Sequence, residues 1–401
     1  MNITGIITEY NPFHSGHLYH LNSAKEITNC DGVICIMSGN FIQRGAPAII
    51  DKWARAEMAI ENGVDLVIEL PSFYALSSAE IFAKGSVTIL DSLGVVNSIF
   101  FGSESGNIEE LINISKILAY EPLEFKNLLK SNLKKGITYA KARENSLKEF
   151  TNNIDISKIL NNSNNILGIE YIKTLIRLNS NINPLTLTRV GGTYNDKTLN
   201  NDFSSATSIR ESIKNSGSLN DIKSSMPYKS YEILKNLKDN NYEFVFEEKM
   251  FNLIKYKLIS NCVKFNNLLD ISEGLDKKIL KEIYVSNSFK ELLFNIKSKR
   301  YTYTKISRIL TQIFIGLDLF DSNQLLNTEN LYARILAFNS NGKFILKEMK
   351  NKSSIPIITK LPRNIDNPLL NLDIQSTKCY SILNNKLNPL SDYLKSPIIK
   401  H

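Results

Sequence analysis

Short apolar runs alternate with stretches of helical periodicity over the first half of the chain. Runs rich in Val, Ile and Leu predict buried strands at residues 3–8, 32–38, 64–70, 98–101 and 185–190. Between them, apolar positions at helical spacing predict helices at residues 18–27, 52–62, 78–91 and 168–178. Strands that alternate with helices are typical of βαβ units, so the sequence predicts an α/β fold with a parallel sheet.

Beyond residue 211 strand signals become rare and the pattern is mostly helical. Helices are predicted at residues 229–238, 247–260, 276–294 and 304–317, with a looser tail after about residue 350. A charged helical insertion is predicted at residues 107–163. We therefore expect two domains, a sheet domain over residues 1–215 and a mainly α-helical domain over residues 216–401.

The net charge of +8 is concentrated in the second half. Residues 1–210 carry 19 Lys and Arg against 21 Asp and Glu, whereas residues 211–401 carry 29 against 19, a net of +10. A basic half joined to a near-neutral half predicts that the basic part holds a polyanion for chemistry in the other part. Solvated basic helices from a Lys- and Asn-rich composition are the alternative.

Composition excludes several classes of protein. No apolar run approaches the ~20 residues of a membrane helix and no basic-apolar leader opens the chain, so we expect a soluble cytoplasmic protein without a membrane partner. The four cysteines lack Cys-x-x-Cys spacing, so no metal site can be assembled from them. Nothing in the sequence indicates an obligate protein partner.

Three of the four histidines, His14, His17 and His20, follow directly after the first predicted strand. A strand-to-helix junction presents free backbone N–H groups where phosphate binds. His14 and His17 are three residues apart, so on the first helical turn both imidazoles can face one pocket and donate hydrogen bonds to phosphoryl oxygens. They are candidate catalytic residues, and two surface histidines at an ordinary helix start are the alternative. His20 is divided between the site and helix packing.

Polar clusters follow other predicted strands, where ligands bind in open α/β sheets. The candidate acceptor loop after the second strand contains Ser38, Gly39, Asn40, Gln43 and Arg44. A plain connection with a solvated arginine is the alternative for this loop. Gly102 would allow close approach to a nucleotide, although a tight turn also explains it. Asn165 precedes a predicted helix, which it could simply cap.

A hydroxyl cluster with an arginine follows the fifth predicted strand. Arg189 lies at the end of that strand, and the next helix begins with Ser205, Thr207 and Arg210. Hydroxyls, helix N–H groups and a guanidinium suit a triphosphate, so Ser205 and Thr207 are candidate ATP ligands and Arg210 is a third candidate catalytic residue. Helix capping explains the serines but not the arginine.

The densest basic feature of the second half interleaves cations with two tyrosines. The candidate RNA-binding residues are Lys297, Lys299, Arg300, Tyr301, Tyr303, Lys305 and Arg308. Cations suit phosphate contacts, and tyrosines suit stacking on unpaired bases. A solvated helix entry is the alternative.

These segments together resemble a known family. The pair of runs at residues 14–17 and 205–210 is similar to the signature of the nucleotidyltransferase superfamily, which includes relatives of class I aminoacyl-tRNA synthetases. The fuller set resembles the bacterial tRNA(Met) cytidine acetate ligases, through residues 9–14, 38–45, 101–104, 165–168 and 300–304. Two positions depart from the family pattern: Ser15 stands where Asn is common, and Ala46 where Glu is common. Ser15 can still cap the helix.

The resemblance implies a Rossmann-like, HUP-type nucleotidyltransferase domain. It implies ATP-dependent ligation of acetate to the N4 amine of the wobble cytidine in elongator tRNA(Met), through acetyl-adenylate, with Mg²⁺ as a further cofactor and acetate and tRNA as partners. The implied ATP site comprises Ile7, Thr8, Glu9, Tyr10, Asn11, Pro12, Phe13, His14, Ser15, Gly16, His17, Leu18, Tyr19, His20, Gly102, Asn165 and Arg189.

Two other functions fit part of the sequence. A small-molecule adenylyl- or cytidylyltransferase would use the same histidines, but it leaves residues 211–401 and their charge of +10 unexplained. A non-catalytic RNA-binding protein with a nucleotide-binding fold would show no ATP turnover. The intact histidine pair and the run at residues 205–210 argue against it.

Overall fold

The centre of the molecule is a largely parallel β-sheet. This computed structural model describes residues 1–152, 155–189, 204–271 and 274–401. Within them the strands are β1 (Ile3–Thr8), β2 (Gly32–Ser38), β3 (Phe41–Ile42), β4 (Ala46–Pro47), β5 (Leu66–Leu70), β6 (Ser98–Ser103), β7 (Asn183–Thr188), β8 (Ala333–Phe338), β9 (Ile357–Ile358) and β10 (Ile398–Ile399).

Helices cover the sheet and build most of the second half. In the described residues they are α1 (Ser15–Thr28), α2 (Lys52–Glu61), α3 (Ser72–Ala75), α4 (Ala79–Ser92), α5 (Ile108–Tyr120), α6 (Leu123–Lys134), α7 (Tyr139–Thr151), α8 (Ile156–Leu160), α9 (Ser163–Leu178), α10 (Ala206–Ser216), α11 (Tyr228–Asp239), α12 (Phe251–Ile259), α13 (Leu275–Glu282), α14 (Phe289–Ile296), α15 (Tyr303–Ile315), α16 (Ser322–Leu326), α17 (Ser340–Lys352), α18 (Pro368–Leu383) and α19 (Ser391–Leu394). Helices α5 to α8 occupy the predicted insertion.

The strand order places β1 at the centre of the parallel part of the sheet. The order is β10-β8-β5-β2-β1-β6-β7, with β9 beside β8. Five neighbouring strands pair in parallel, as the alternation of strands and helices predicts: β5, β2, β1, β6 and β7. After β1 the chain builds outwards first on one side, through β2 and β5, and then on the other, through β6 and β7. The crevice between β1 and β6 is therefore the point where such sheets bind ligands.

Successive side chains of each central strand enter two different cores. In β2, Ile34 and Ile36 pack in a core that includes residues of α4 and α9, whereas Cys35 and Met37 pack in a second core that includes residues of α1 and α10. Both faces of the sheet are covered, so the strand is apolar at every one of these positions rather than at alternate ones.

The C-terminal part of the chain differs from the prediction. The looser tail predicted after about residue 350 is wrong, because α18 is buried along much of its length and β10 pairs with β8. β8 joins the main sheet antiparallel to β5, so the sheet crosses the boundary predicted at residue 215. Arg334 interrupts the apolar run of β8, and its charge is balanced in the interior by Asp392 at 2.9 Å.

The helix predicted at residues 276–294 is two helices, α13 and α14. Ser288 ends the connection between them, and its hydroxyl accepts a hydrogen bond from the N–H of Glu291 at 3.1 Å. A serine in this position starts a new helix. The strand predicted at residues 185–190 is observed as β7, two residues earlier, and residue 190 lies outside the described residues.

Candidate active site

A cavity lies at the carboxyl end of the parallel strands, beside the crevice between β1 and β6. Its walls come from the junction of β1 and α1, the hairpin of β3 and β4, the ends of β6 and β7, and the first turn of α10. The predicted site residues that line it are Ile7, Thr8, Glu9, Tyr10, Asn11, His14, Gly16, His17, Tyr19, His20, Gln43, Arg44, Gly102, Arg189, Ser205, Thr207 and Arg210. The fold therefore brings segments that are distant in sequence into one pocket.

Some predicted residues lie outside the lining of this cavity. They are Pro12, Phe13, Ser15, Leu18, Ser38, Gly39, Asn40 and Asn165. Phe13 shows why: it is fully buried, and its ring packs 4.6 Å from that of Tyr10 and 5.7 Å from that of His17. Phe13 thus supports the site from the interior.

The two catalytic candidates are held together at the start of α1. His14 is the N-cap, and its Nδ1 accepts a hydrogen bond from the N–H of Gly16 at 3.1 Å. His17 Nδ1 accepts one from the N–H of His14 at 3.3 Å. The predicted cap at Ser15 is wrong, because Ser15 is already the first helical residue. Since Nδ1 is the acceptor in both rings, the neutral imidazoles carry their proton on Nε2.

The surroundings keep the three histidines neutral at pH 7. Burial lowers the pKa of His14 to about 3, and the charges of Arg189 and Arg210 add to this effect. Burial, followed by the charges of His14 and Arg189, holds the pKa of His17 well below its usual range. Burial and Arg189 lower the pKa of His20 to about 4. The pair at the start of α1 is thus suited to donate hydrogen bonds as neutral groups.

His20 faces the cavity and also packs against the sheet. Its ring lies 5.2 Å from that of Phe100, and its Nε2 is buried without a hydrogen-bond partner among the described residues. A buried polar atom without a partner costs about 1–3 kcal/mol unless a ligand or water satisfies it. This favours a role for His20 in the site as well as in packing.

The first turn of α10 contacts the loop that precedes α1. Ser205 caps α10, because its hydroxyl accepts a hydrogen bond from the N–H of Ser208 at 3.1 Å. Arg210 donates to the carbonyl oxygen of Asn11 at 2.7 Å and to the hydroxyl of Thr207 at 3.2 Å. Arg210 therefore lines the cavity and at the same time holds the backbone of the loop between β1 and α1, residues 9–14, which we call the histidine loop.

The ends of β6 and β7 supply a second cation. Arg189 donates to the side-chain oxygen of Asn164 at 3.1 Å. A Cβ atom at Gly102 would lie 3.2 Å from Cγ of Arg189, so the glycine leaves room for this side chain. Both Arg189 and Gly102 line the cavity.

Asn165 has a different place from the one predicted. Its side-chain oxygen accepts hydrogen bonds from the N–H groups of Glu104 and Ser105, at 2.9 and 3.1 Å, and the residue is buried. The proposed cap is also wrong, because α9 begins two residues earlier, at Ser163. Asn165 thus holds the loop after β6, and its neighbour Asn164 lines the cavity.

The predicted acceptor loop divides into two parts. Residues 38–40 are buried, and the side-chain oxygen of Asn40 accepts the first N–H of α2 at 2.9 Å. The hairpin of β3 and β4 then carries Gln43 and Arg44 to the cavity. The N–H of Gln43 donates to the carboxylate of Glu9 at 2.7 Å, which joins the hairpin to the histidine loop.

The predicted RNA-binding segment also divides. Lys297, Lys299, Arg300 and Tyr303 are exposed, and Nζ of Lys297 lies 5.7 Å from the centre of the Tyr303 ring. Lys305 is half-buried. These side chains form an accessible basic surface with one aromatic ring.

Two members of the predicted RNA-binding set are turned inward. Tyr301 is 8% exposed, and Nζ of Lys305 lies 5.8 Å from its ring centre. Nε of Arg308 lies 3.6 Å from the carboxylate of Asp270. Neither Tyr301 nor Arg308 offers the exposed side chain that contact with RNA requires.

The basic segment is attached directly to the hairpin of β3 and β4, residues 41–47, which we call the acceptor hairpin. The hydroxyls of Ser307 and Thr311 in α15 both donate to the carbonyl oxygen of Gly45, at 2.6 and 2.7 Å. Gly45 has a φ of +76°, and a Cβ atom there would lie 2.2 Å from the backbone nitrogen of Arg308. Helix α15, which directly follows the exposed cations, therefore packs backbone to backbone against the loop that carries Gln43 and Arg44.

Comparison with known proteins agrees with this geometry. The family model for HIGH nucleotidyl transferases matches residues 1–392. A tRNA(Met) cytidine acetate ligase of Clostridium novyi is 56% identical over 99% of both chains, and one of Clostridium tetani is 51% identical over 100% of both. The chain belongs to the tRNA(Met) cytidine acetate ligase family. The resemblance predicted from the sequence is confirmed.

Solved structures extend the family likeness to the fold. The crystal structure of Thermotoga maritima TmcAL bound with alpha-thio ATP aligns with a TM-score of 0.90 at 35% identity, covering 100% of this chain and 99% of that one. The apo form of the same protein aligns equally well. These matches confirm the predicted fold class, an α/β nucleotidyltransferase fold with a mostly parallel sheet.

Sequence reasoning missed one wall of the cavity. It is formed by Ile42, Phe82, Phe101, Asn164, Leu167, Tyr171, Leu187 and Ala206. Phe82, Phe101 and Tyr171 are less than 9% exposed and belong to the core between α4, α9 and the sheet. Phe82 and Tyr171 follow the pattern of core residues in the sequence, so no signal distinguished them, whereas Phe101 opens the run at residues 101–104 that carries part of the resemblance.

Two further properties concern metals and membranes. Across the described ranges, no group of three or more His, Cys, Asp or Glu side chains could hold a metal ion. In the same part of the chain, no helix is both long enough and apolar enough to cross a membrane.

Proposed function

We propose that this chain ligates acetate to the N4 amine of the wobble cytidine of elongator tRNA(Met), with ATP as the energy source and acetyl-adenylate as the intermediate. The observation that carries the proposal is the full-length match, at 51–56% identity, to relatives named tRNA(Met) cytidine acetate ligase. The cavity supports it, because paired histidines at a helix start face a hairpin that is joined to a basic surface.

In the first step a carboxylate oxygen of acetate attacks the α-phosphorus of ATP. A new P–O bond forms, the bond to the bridging oxygen breaks, and pyrophosphate leaves. Acetate is already an anion at pH 7, so this attack needs position and charge stabilisation rather than a general base. The Nε2–H groups of His14 and His17 and the guanidinium groups of Arg189 and Arg210 can supply both.

In the second step the N4 amine of cytidine attacks the acetyl carbonyl carbon. The C–N bond forms, AMP leaves with the electrons of the C–O bond, and the amine loses a proton. The base must leave its stack to reach the mixed anhydride. Gln43 and Arg44 lie on the hairpin between the histidine loop and α15, so we assign the acceptor side of the cavity to them.

The basic surface on the second half binds the tRNA in this proposal. Lys297, Lys299 and Arg300 contact phosphates, and the exposed ring of Tyr303 stacks on an unpaired base. A tRNA substrate places the enzyme in the cytoplasm.

Mg²⁺ enters this proposal only as the counter-ion of ATP. Glu9 is the one carboxylate of the described residues that lines the cavity, and one of its oxygens already accepts the N–H of Gln43. This donor set does not form a resident metal site, but Mg²⁺ commonly binds through phosphate oxygens with a single carboxylate. Glu9 is the residue that would contact the ion, and no step depends on it.

The test is ATP–pyrophosphate exchange, measured with ATP alone, with acetate, and with acetate and tRNA. We expect exchange that depends on acetate, followed by N4-acetylcytidine in the tRNA when its nucleosides are analysed by mass spectrometry. Exchange that needs neither acetate nor tRNA, with transfer of AMP to a small phosphorylated acceptor, would overturn the proposal. It would identify a small-molecule adenylyltransferase instead.

A further inference from the structure

Arg55 of α2 is a fully buried cation whose hydrogen bonds all go to backbone carbonyl oxygens. Its side chain is 0% exposed. Nη1 donates to the carbonyls of Glu9 and Ser38 at 2.7 and 3.0 Å, Nη2 donates to the carbonyl of Gly39, and Nε donates to that of Ile50 at 3.2 Å. One guanidinium thus holds three separate pieces of chain.

Burying the charge of Arg55 costs folding free energy. Burial lowers the pKa of Arg55, although the charges of Asp51, Glu9 and Glu69 oppose that shift. None of the carboxylates in the described residues forms an ion pair with it. An apolar side chain here would leave these buried carbonyls without donors, so the position requires a branched cation that reaches all of them at once.

The carbonyls that Arg55 holds lie where β1 and β2 separate. The ladder between the two strands ends at Thr8 and Met37. Beyond this point, the segment after β1 continues into the histidine loop and the segment after β2 continues into the acceptor hairpin. Arg55 bonds to Glu9 in the first segment and to Ser38 and Gly39 in the second. It replaces the missing rungs of the ladder at the rim of the cavity.

The bonded carbonyl of Glu9 is also linked to the histidines and the hairpin. The carboxylate of the same residue accepts the N–H of Gln43 at 2.7 Å. The next residue, Tyr10, has a φ of +45°, a conformation that an aromatic residue adopts only when its surroundings impose it. Its ring lies 5.0 Å from that of His17. Arg55 therefore fixes the point from which both the ATP side and the acceptor side of the cavity depart.

We propose that Arg55 is a positioning residue of the ligase reaction, which sets the separation between the histidine loop and the acceptor hairpin. It does not line the cavity, so it acts through the residues whose carbonyls it holds. This inference rests on the proposed function, because the two sides that it aligns are the ATP and acceptor sides of that reaction.

The experiment compares R55K with a control at the opposite edge of the same sheet. Asp65 is also buried, and its carboxylate joins the beginning of β2 to the residue that follows β8, by accepting the N–H of Val33 at 2.8 Å and the side-chain amide of Asn339 at 2.9 Å. Lysine keeps the charge but cannot reach all of the carbonyls that the planar guanidinium spans. D65N replaces one of the two acceptor oxygens by an NH2 group, so it removes one of these two buried hydrogen bonds at the end of the sheet away from the cavity.

Each variant is measured for thermal stability, ATP affinity, acetate-dependent exchange and formation of acetylcytidine in tRNA, at a temperature where both variants remain folded. We expect R55K to lower the rate of acetylcytidine formation by about tenfold or more while changing the ATP dissociation constant by less than about threefold, because a misplaced hairpin affects transfer to the base more than binding of ATP. D65N keeps the wild-type rate. Equal rates in R55K and D65N would overturn the proposal.

A structural measurement keeps the proposal testable if R55K is too unstable to assay at ordinary temperature. Hydrogen exchange of the R55K backbone in the cold reports the Gln43 amide directly. We expect that amide to lose protection while the β2 amides of Ile34 and Ile36 keep theirs, and retained protection at Gln43 would refute the positioning role. If wild-type protein shows no acetate-dependent exchange, the proposed function is refuted. The hydrogen-exchange comparison of Gln43 with β2 would still show whether Arg55 positions the hairpin.

Discussion

The backbone N–H of His14 donates to Nδ1 of His17 at 3.3 Å, and the two rings stack with their centres 3.7 Å apart. The start of α1 is thus closed by two imidazoles rather than by the usual hydroxyl or carboxylate. Both Nδ1 atoms are occupied by backbone donors, so the proton of each neutral ring is on Nε2. The cap and the candidate catalytic donors are the same two side chains.

Replacing His17 by alanine should remove one donor to the α-phosphate and leave the basic surface untouched. We expect H17A to lower acetate-dependent exchange by about 100-fold, which is the usual effect of losing one donor to a developing oxyanion. Filter binding should give the wild-type affinity for tRNA. Loss of tRNA binding in H17A would contradict the division between the cavity and the basic surface.

His14→Asn separates capping from catalysis. Asparagine is a good N-cap, and its side-chain oxygen can accept the N–H of Gly16 in place of Nδ1. We expect the free energy of unfolding, measured with urea at pH 7, to change by less than about 1 kcal/mol. Exchange should still fall strongly because Nε2–H is lost. Wild-type exchange in H14N would show that His14 is only a cap.

Acid should destabilise the unliganded protein through the buried histidines. In the folded state the pKa of His14 is about 3 and that of His20 about 4, whereas an unfolded histidine titrates near pH 6.5. Between these values the unfolded chain binds more protons than the folded one, so stability is complete above about pH 6.5 and is lost as the pH falls towards 4. Urea unfolding at pH 6.5, 5.5 and 4.5 measures this loss. The free energy of unfolding of H14N should fall less than that of wild type, by up to about 1.4 kcal/mol per pH unit. Parallel plots of this free energy against pH for the two proteins would exclude a contribution from His14.

The sequence predicted the parallel sheet and the histidine junction because both are local signals. A short continuous apolar run such as β2 is typical of a strand that is covered on both faces. Two histidines at the start of a helix can face one pocket without a distant partner. The residues that join the segments were not predictable in this way. Arg55 looks in the sequence like a solvated cation on a helix, and only the fold shows the carbonyls around it.

The missed pairing of β8 has a similar cause. A six-residue apolar run with one arginine does not show whether it forms a strand, or with which partner. Its place beside β5 depends on the buried ion pair of Arg334 with Asp392, which are 58 residues apart. The inward position of Arg308 likewise depends on Asp270, which contributes to a different part of the helical half.

The basic surface should determine tRNA affinity and its dependence on salt. Replacing Lys299 and Arg300 by alanine removes two exposed cations, so tRNA binding should weaken and the slope of log K against log salt should decrease by about 1–2. The double variant K126A/K130A removes two exposed lysines from α6 and serves as the charge-matched control. Equal effects of the two pairs would show that general charge, rather than this surface, binds the tRNA.

At Gly45 the acceptor hairpin is in close backbone contact with α15. Both Gly45 and Gly136 have positive φ, +76° and +72°, but a Cβ atom at Gly136 has no neighbour within 4 Å, whereas one at Gly45 would lie 2.2 Å from the backbone nitrogen of Arg308. G136A should therefore cost only the backbone strain, about 1 kcal/mol. G45A should cost about 1–3 kcal/mol more, because two backbones must separate.

The same displacement should have a functional effect that Gly136→Ala lacks. Moving Gly45 away from α15 moves Gln43 and Arg44 with it, and these residues line the cavity while the histidine loop stays in place. We therefore expect G45A to reduce formation of acetylcytidine in tRNA more than it reduces acetate-dependent exchange, measured side by side on one preparation. G136A should leave both unchanged. An equal fall in the two activities of G45A would mean that the hairpin serves adenylate formation rather than transfer to the base.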